Sequence, residues 1–412
     1  MSLMMDRSRL DCAIVLILFV LPLYLANSFD MKVMKFGGSV LRTSEGFGHM
    51  VRILKAESNP LLVIISAFGS STRDLEQAAR SAESGAQELA FAYLEEIITE
   101  HRRFADDLLT NSATKAALNF FLDESALRIR DLLRGISITR ELTSRTLDII
   151  LSYGELLAIH IVRHYLDESG FELAFVSADA VIVTDSSHGA ATPNRDLTAA
   201  KVTSTLLPAF DKKKLVLTQG FVAKSSLGEI TTMGKESSNL TATLLAELLG
   251  AEEVVIWTDV PGICTADPKI APDTRTIPEM SYAEARVAAG AGLKLIYATM
   301  IEPTERAGIP ISFRSAFDST AQFTTISRDS GTSHQALFAV KEHDKLSEIS
   351  ILNVRGASVF AALQSFPAQS WETTAFRLSI EPHQSLISLP SGSKTQECIR
   401  YLHAALRSST VY

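Results

Sequence analysis

The chain has 412 residues, of which 46% are hydrophobic and 21% charged, enough to bury one full core and a second, smaller one. A formal net charge of -8 without a basic tract argues against nucleic acid as a partner. The three cysteines, Cys12, Cys264 and Cys398, are widely separated, match no metal-ligand spacing and argue against a structural zinc site.

Residues 1–30 contain an apolar run, CAIVLILFVLPLYLA, preceded by Arg7 and Arg9. The run has the length of a signal-peptide core and falls short of the roughly 20 residues a membrane helix needs. Two readings stand. The protein is exported or membrane-anchored, or translation starts at Met31 and yields a cytoplasmic product, in keeping with its dispersed thiols.

Residues 31–40, MKVMKFGGSV, read as a short apolar strand ending in Lys35 and the pair Gly37-Gly38. The glycines let backbone amides approach phosphate oxygens, and Lys35 adds a mobile positive charge. Neither the P-loop pattern nor the dinucleotide GxGxxG is present. A second strand, at 61–66, also breaks into a small-residue loop, SAFGSSTRDL, before a helix. Residues 75–165 are almost purely helical and rich in Ala, Leu, Glu and Arg, an expected acceptor-side lobe. Strand-like runs resume at 172–178 and 215–221.

The strongest local signal lies at 220–270. A hairpin-like stretch (220–232) runs into Met233-Gly234-Lys235, and this loop opens onto a helix (238–249) whose unpaired N-terminal amides attract anions. Gly250 is the helix stop. A strand at 253–257 and the turn-rich TDVPGICTADPK follow, with Pro261-Gly262 as a turn and Gly262 expected at positive φ. After a last strand at 310–315 and a break at 329–333, the tail reads βαββα: strand 349–354, helix 358–366, strands 374–381 and 385–390, helix 394–406. Alternation of strands and helices from 31 to 332 predicts an open α/β sheet, and the order of loop, helix, strand and ligand turn points to a nucleotide enzyme.

The motifs KFGGS (35–39), SAFGSSTRDL (66–75), GISITRELTSRTLDIILSYGELLA (135–158), TQGFVAKSSLGEITTMGKESSNLTA (218–242), WTDVPGICTADPK (257–269) and AGLKLIYATMIEPTERAGIPISFRS (291–315) resemble, in order and spacing, those of the aspartate kinases of the amino-acid-kinase superfamily. The resemblance covers residues 31–333. It implies the amino-acid-kinase fold there, an open, mainly parallel sheet sandwiched by helices, with an ACT-like α+β regulatory or dimerisation domain over 334–412 and an apolar extension over 1–30. It further implies ATP-dependent phosphorylation of L-aspartate to 4-phospho-L-aspartate, the first step toward lysine, threonine and methionine. Mg2+ would be carried by the nucleotide, with no protein ligand. The expected assembly is a homodimer through the C-terminal domain, with lysine or threonine as effector.

Phosphoryl transfer to a carboxylate requires positioning and charge neutralisation more than a base, because the nucleophile is already ionised. Accordingly His160, His164 and His188, which lie outside the motifs, are read as surface or packing residues. By resemblance, Lys35 bridges the β- and γ-phosphates, and Gly37, Gly38 and Ser39 contact the same group, Ser39 also bordering the acceptor. Ser66 and Gly69 supply the second loop. Glu155, read at the start of a helix, recognises the substrate's amino group. Lys235 replaces the arginine that pairs with the α-carboxylate, keeping the charge but losing the bidentate fork. Asn239 replaces an aspartate that orients Lys35. Thr258 and Asp259 meet base and ribose, and Gly262, Lys269 and Lys294 complete the ATP side. Cys264 stands where an aromatic residue is common, and Tyr297-Ala298 replaces His-Pro. Two alternatives stay open. One is a catalytically impaired, nucleotide-binding paralogue, favoured by Lys235 and Asn239. The other is a related kinase acting on glutamate or N-acetylglutamate, against which the SYGE motif at 152–155 speaks.

Overall fold

A computed structural model describes residues 30–330, 335–343, 345–366, 377–380 and 384–406. The apolar extension, most of the 329–333 break and the start of the strand expected at 374–381 lie outside the described residues. The chain begins β1 (Lys32–Phe36), α1 (Ser44–Lys55), β2 (Leu61–Ile65), followed by α2 (Ser71–Ser84), α3 (Gln87–Leu108), α4 (Ser112–Thr139) and α5 (Ser144–Glu168). Next come β3 (Leu173–Phe175), β4 (Val183–Thr184), and α6 (Arg195–Lys201) joined to α7 (Leu207–Phe210) by a π-helical turn. Then follow β5 (Leu215–Gln219), β6 (Val222–Ser225), β7 (Ile230–Thr232), α8 (Ser238–Leu249), β8 (Glu253–Thr258), β9 (Glu279–Ser281), α9 (Tyr282–Gly290), α10 (Ala298–Ala307), β10 (Ile311–Ser315) and β11 (Thr324–Ser327).

An eight-stranded sheet in the order β3-β5-β2-β1-β8-β10-β11-β9 forms the centre. Pairing is parallel from β3 to β10, and β11 turns back against β10. The central strands are buried on both faces, and their side chains alternate between two cores as a strand's period of two requires. Met34, Phe36, Val63, Ile65, Leu217 and Val255 pack against α1 to α5, whereas Val33, Leu62, Ile64, Val216, Val254 and Ile256 pack against α8, α9 and α10. The expected sheet sandwiched by helices is therefore present, and the helical block resolves into α2 to α5. Asn111 and Thr143 cap α4 and α5 by accepting from backbone amides, and Ser281 with Glu284 forms a capping box on α9.

The tail forms a four-stranded antiparallel sheet, β12 (Leu337–Glu342), β13 (Leu346–Leu352), β15 (Gln384–Pro390) and β14 (Arg377–Ile380) in spatial order, with α11 (Gly356–Gln364) and α12 (Ser393–Leu406). This is the ACT-like α+β arrangement with one strand more than the sequence pattern gave. β12 was hidden because it serves two cores: Leu337 and Ala339 join the core around α8 to α10, and Phe338 joins the tail's own. No single face shows the alternation that marks a strand. The tail also grips the segment after β8, where the Phe338 amide donates to the Thr265 carbonyl at 2.8 Å and Thr265 Oγ1 lies 2.9 Å from His403 Nε2. Among the described residues, no helix is long and apolar enough to cross a membrane.

Candidate active site

In an open α/β sheet the ligand crevice lies outside the carboxyl ends of the strands, where the strand order reverses. Here that point is β1, with β2 on one side and β8 on the other: Phe36 stands opposite both Ile65 and Trp257, and Ile65 opposite Gln219. The loops leaving Phe36, Ile65, Gln219 and Thr258 therefore emerge along one edge. They carry most of the residues singled out from the sequence.

The two glycine loops lock together. The Gly37 amide donates to the Trp257 carbonyl at 3.1 Å, and the Gly69 amide to the Gly38 carbonyl at 3.2 Å. A Cβ on Gly38 would sit 2.4 Å from the Ala67 carbonyl oxygen, so any side chain there would force the loops apart. A Cβ on Gly37 would fall 3.6 Å from Lys35 Nζ and 3.7 Å from Ser39 Oγ, in the space those two groups border. Gly69 adopts φ +48, the left-handed region. This backbone cradle beside an ammonium fits a polyphosphate.

Lys35, on a central strand, is only 7% exposed. Burial holds its pKa below the ordinary lysine range, opposed by the carboxylates of Glu236 and Glu155. Glu155 is 3% exposed, and its Oε1 accepts from the Ala67 amide at 3.3 Å. Burial pushes its pKa up to about 8, against the pull of that hydrogen bond and of Lys35. The expectation that Glu155 opens a helix is corrected: it lies inside α5, far from the N-terminus, and the macrodipole does not stabilise it. Gly154 is no helix start either. Its would-be Cβ lies 3.1 Å from Ala67 Cβ and 3.3 Å from Thr72 Oγ1, so glycine lets α5 close on the second loop.

The third wall is the start of α8. Gly220 permits it, since a Cβ there would lie 2.5 Å from Ser238 Cβ. The turn before the helix uses Gly234 at φ +88 and Glu236 at φ +62, and Ser237 provides no side-chain cap, which leaves first-turn amides for a ligand, apart from that of Asn239, which donates to the Glu236 carbonyl at 3.2 Å. Lys235 is exposed at this turn. Asn239 is buried, with Nδ2 donating to the Leu295 carbonyl at 3.2 Å. Ser66 Oγ, Glu155 Oε2, Ser237 Oγ and Asn239 Oδ1 are all buried without a hydrogen-bond partner among the described residues. Such atoms are costly unless a ligand satisfies them.

On the β8 side, Thr258 is buried and its hydroxyl donates to Asp259 at 3.2 Å. Asp259 lies 3.6 Å from Arg42, a partner the sequence did not reveal because it comes from the first glycine loop's far end. Gly262 does not adopt the positive φ expected of it. Its requirement is space: a Cβ would lie 2.6 Å from Thr324 Oγ1 and 2.9 Å from the Thr324 amide nitrogen. Lys269 and Lys294 sit farther out, both reaching Asp267. The Lys294 ammonium is 2.7 Å from its carboxylate, and the Lys269 amide donates to it at 2.9 Å. Cys264 is half-buried, and Tyr297 is partly exposed. His160 stacks on Phe121 at 3.8 Å between ring centroids, as a packing residue would. His188 does more than pack, since its Nδ1 is 2.8 Å from the buried Asp148 carboxylate.

Residues 30–315 match the model of the amino acid kinase family. The aspartokinase of Chlamydia pneumoniae is 34% identical over 69% of this chain and 60% of its own length. Lysine-sensitive aspartokinase 3 of Escherichia coli is 30% identical over 81% of this chain and 72% of that protein. The chain spans less than two thirds of the Chlamydia protein and of Arabidopsis thaliana aspartokinase 2, 59% of which is covered. Among solved structures, E. coli aspartokinase III with aspartate and ADP (R-state) superposes with a TM-score of 0.78 at 21% identity, covering 91% of this chain and 99% of that one. The same enzyme with lysine and aspartate (T-state) gives 0.69 at 25% identity, covering 91% and 83%.

Proposed function

The chain belongs to the amino acid kinase family, among the aspartokinases, and on that premise we propose that it transfers the γ-phosphoryl group of ATP to the side-chain carboxylate of L-aspartate, giving 4-phospho-L-aspartate. The observation that carries this reading is the meeting of a buried ammonium, two interlocked glycine loops and a buried carboxyl group at one sheet edge. An ionised acceptor needs no base, so the residues work by positioning and by neutralising charge. Lys35 takes the charge that develops on the transferred group, and its burial makes that interaction stronger than it would be in water.

Amides and hydroxyls of Gly37, Gly38, Ser39, Ser66 and Gly69, with the free amides opening α8, hold the phosphates. Thr258, Asp259, Gly262, Lys269 and Lys294 serve the nucleoside end. Glu155 takes the amino group of aspartate, Lys235 its α-carboxylate, and Asn239 holds the Leu295 backbone at the mouth. Mg2+, carried on phosphate oxygens and water, supplies further charge neutralisation. Aspartate and ADP bound to the E. coli relative support a two-ligand site of this kind.

The same reading extends to the whole molecule. Residues 31–333 act as the kinase unit of a cytoplasmic enzyme, and 334–412 act as an ACT-like unit that pairs two copies and answers to lysine or threonine. The lysine sensitivity named for the E. coli relative supports the effector class. A hydroxamate assay with MgATP and aspartate, glutamate or no acceptor tests the proposal. Product with aspartate alone is expected. Product with glutamate would reassign the acceptor, and none with either would leave a nucleotide-binding protein without kinase activity.

A further inference from the structure

We propose that Asp148 and His188, to which no site role is assigned above, are positioning residues that fix the width of the acceptor pocket; the inference rests on the roles given to Glu155 and Lys235. Asp148 and Glu155 are seven residues apart on α5, hence on one face and about 10 Å apart along its axis. Asp148 is 1% exposed and anchors the far side of the pocket with both oxygens. Its Oδ1 accepts from the Thr232 hydroxyl at 2.5 Å and from the Gly189 amide at 3.1 Å, and its Oδ2 lies 2.8 Å from His188 Nδ1.

Thr232 closes β7 and directly precedes the Met233-Gly234-Lys235 turn. The loop carrying His188 and Gly189 is pinned to the same strand, since the Ala191 amide donates to the Thr232 carbonyl at 3.0 Å. It also backs the turn itself: a Cβ on Gly234 would lie 3.7 Å from the Gly189 carbonyl and 3.8 Å from Ala190 Cα. On its other edge His188 Nε2 lies 3.6 Å from Glu229, which pairs with Arg145 of α5 at 2.9 Å. The loop is thus a wedge between the helix that presents Glu155 and the turn that presents Lys235. An acceptor held at its amino group by one and its α-carboxylate by the other is sensitive to that distance. Among the described residues, the polar contacts that tie His188, Gly189 and Ala191 to other elements run to α5 and to the β6–β7 hairpin, whereas the ATP side is built on β1, β2 and β8.

His188→Ala and His188→Asn test this, the latter keeping an N–H donor where Nδ1 stands. For His188→Ala the KM for aspartate is expected to rise about tenfold, with kcat and the KM for MgATP within about twofold of wild type. Backbone amide exchange is expected to speed up at residues 232–237 and to stay unchanged at 36–39 and 64–69. His188→Asn is expected to restore both readouts. A parallel rise in both KM values, or an unchanged KM for aspartate, would overturn the proposal. Should the wild type make no aspartyl phosphate, the acceptor assignment fails on its own account, and unchanged exchange at 232–237 in His188→Ala would still overturn the wedge.

Discussion

Glu155 offers the most demanding test, because the fold gives it a protonation state that its proposed task must reverse. With its pKa near 8, the carboxyl is protonated in about nine molecules of ten at pH 7. To receive the ammonium of aspartate it must lose that proton, at a cost of about 1.4 kcal/mol at pH 7 for a group one unit below its pKa. Aspartate binding should therefore tighten about tenfold from pH 6 to pH 7, somewhat less from pH 7 to pH 8, and level off above. Close to one proton should leave per aspartate bound at pH 7. Calorimetry in buffers of different ionisation enthalpy reads both quantities. Glu155→Gln should bind aspartate weakly, with no pH dependence in this range.

The same group also marks stability. A folded pKa of about 8, against the ordinary 4.5, means that Glu155 favours the folded state fully below pH 4.5 and loses that contribution as pH rises through 8. Thermal unfolding should show this slope between those values, and Glu155→Gln should flatten it. An aspartate affinity constant from pH 6 to pH 8, with no proton release, would refute the reasoning.

Lys35→Ala should lower turnover by about 10²-fold or more, as expected for loss of a preorganised charge partner, and a nearly unchanged single-turnover rate would reject its role. Asn239→Asp, which installs the aspartate that the family resemblance implies here, should not raise turnover and should destabilise the fold by about 1–3 kcal/mol, because the Nδ2 donor to the Leu295 carbonyl is replaced by a buried oxygen facing it. A faster enzyme of unchanged melting temperature would show that the lost carboxylate was limiting. Gly38→Ala should break the contact between the glycine loops, since its Cβ would meet the Ala67 carbonyl at 2.4 Å. Loss of MgATP binding by calorimetry is the expected result, and wild-type affinity would exclude the interlock as a nucleotide determinant.

What could be read from the chain alone was whatever neighbouring residues encode together. The strand ending in Lys35 and Gly37-Gly38, the hairpin leading to α8, and the stop at Gly250 each occupy a few consecutive positions, and all of them recur in the structure. Gly250 adopts φ +64, as a helix stop requires. The alternation of strand-like and helical runs along the chain carried the fold class for the same reason. The residues misread or passed over depend on chain segments far apart in sequence. Glu155 is raised to about 8 by burial against the loop at Ala67. Gly262 is small because Thr324 lies against it, β12 is shared between two cores, and Asp148 meets His188 and Thr232 only after folding. Local sequence thus determined which groups are proposed for phosphate and substrate, and tertiary structure decided their charge and separation. Desolvation and distance are properties of the packed interior, where segments remote in the chain supply the surroundings.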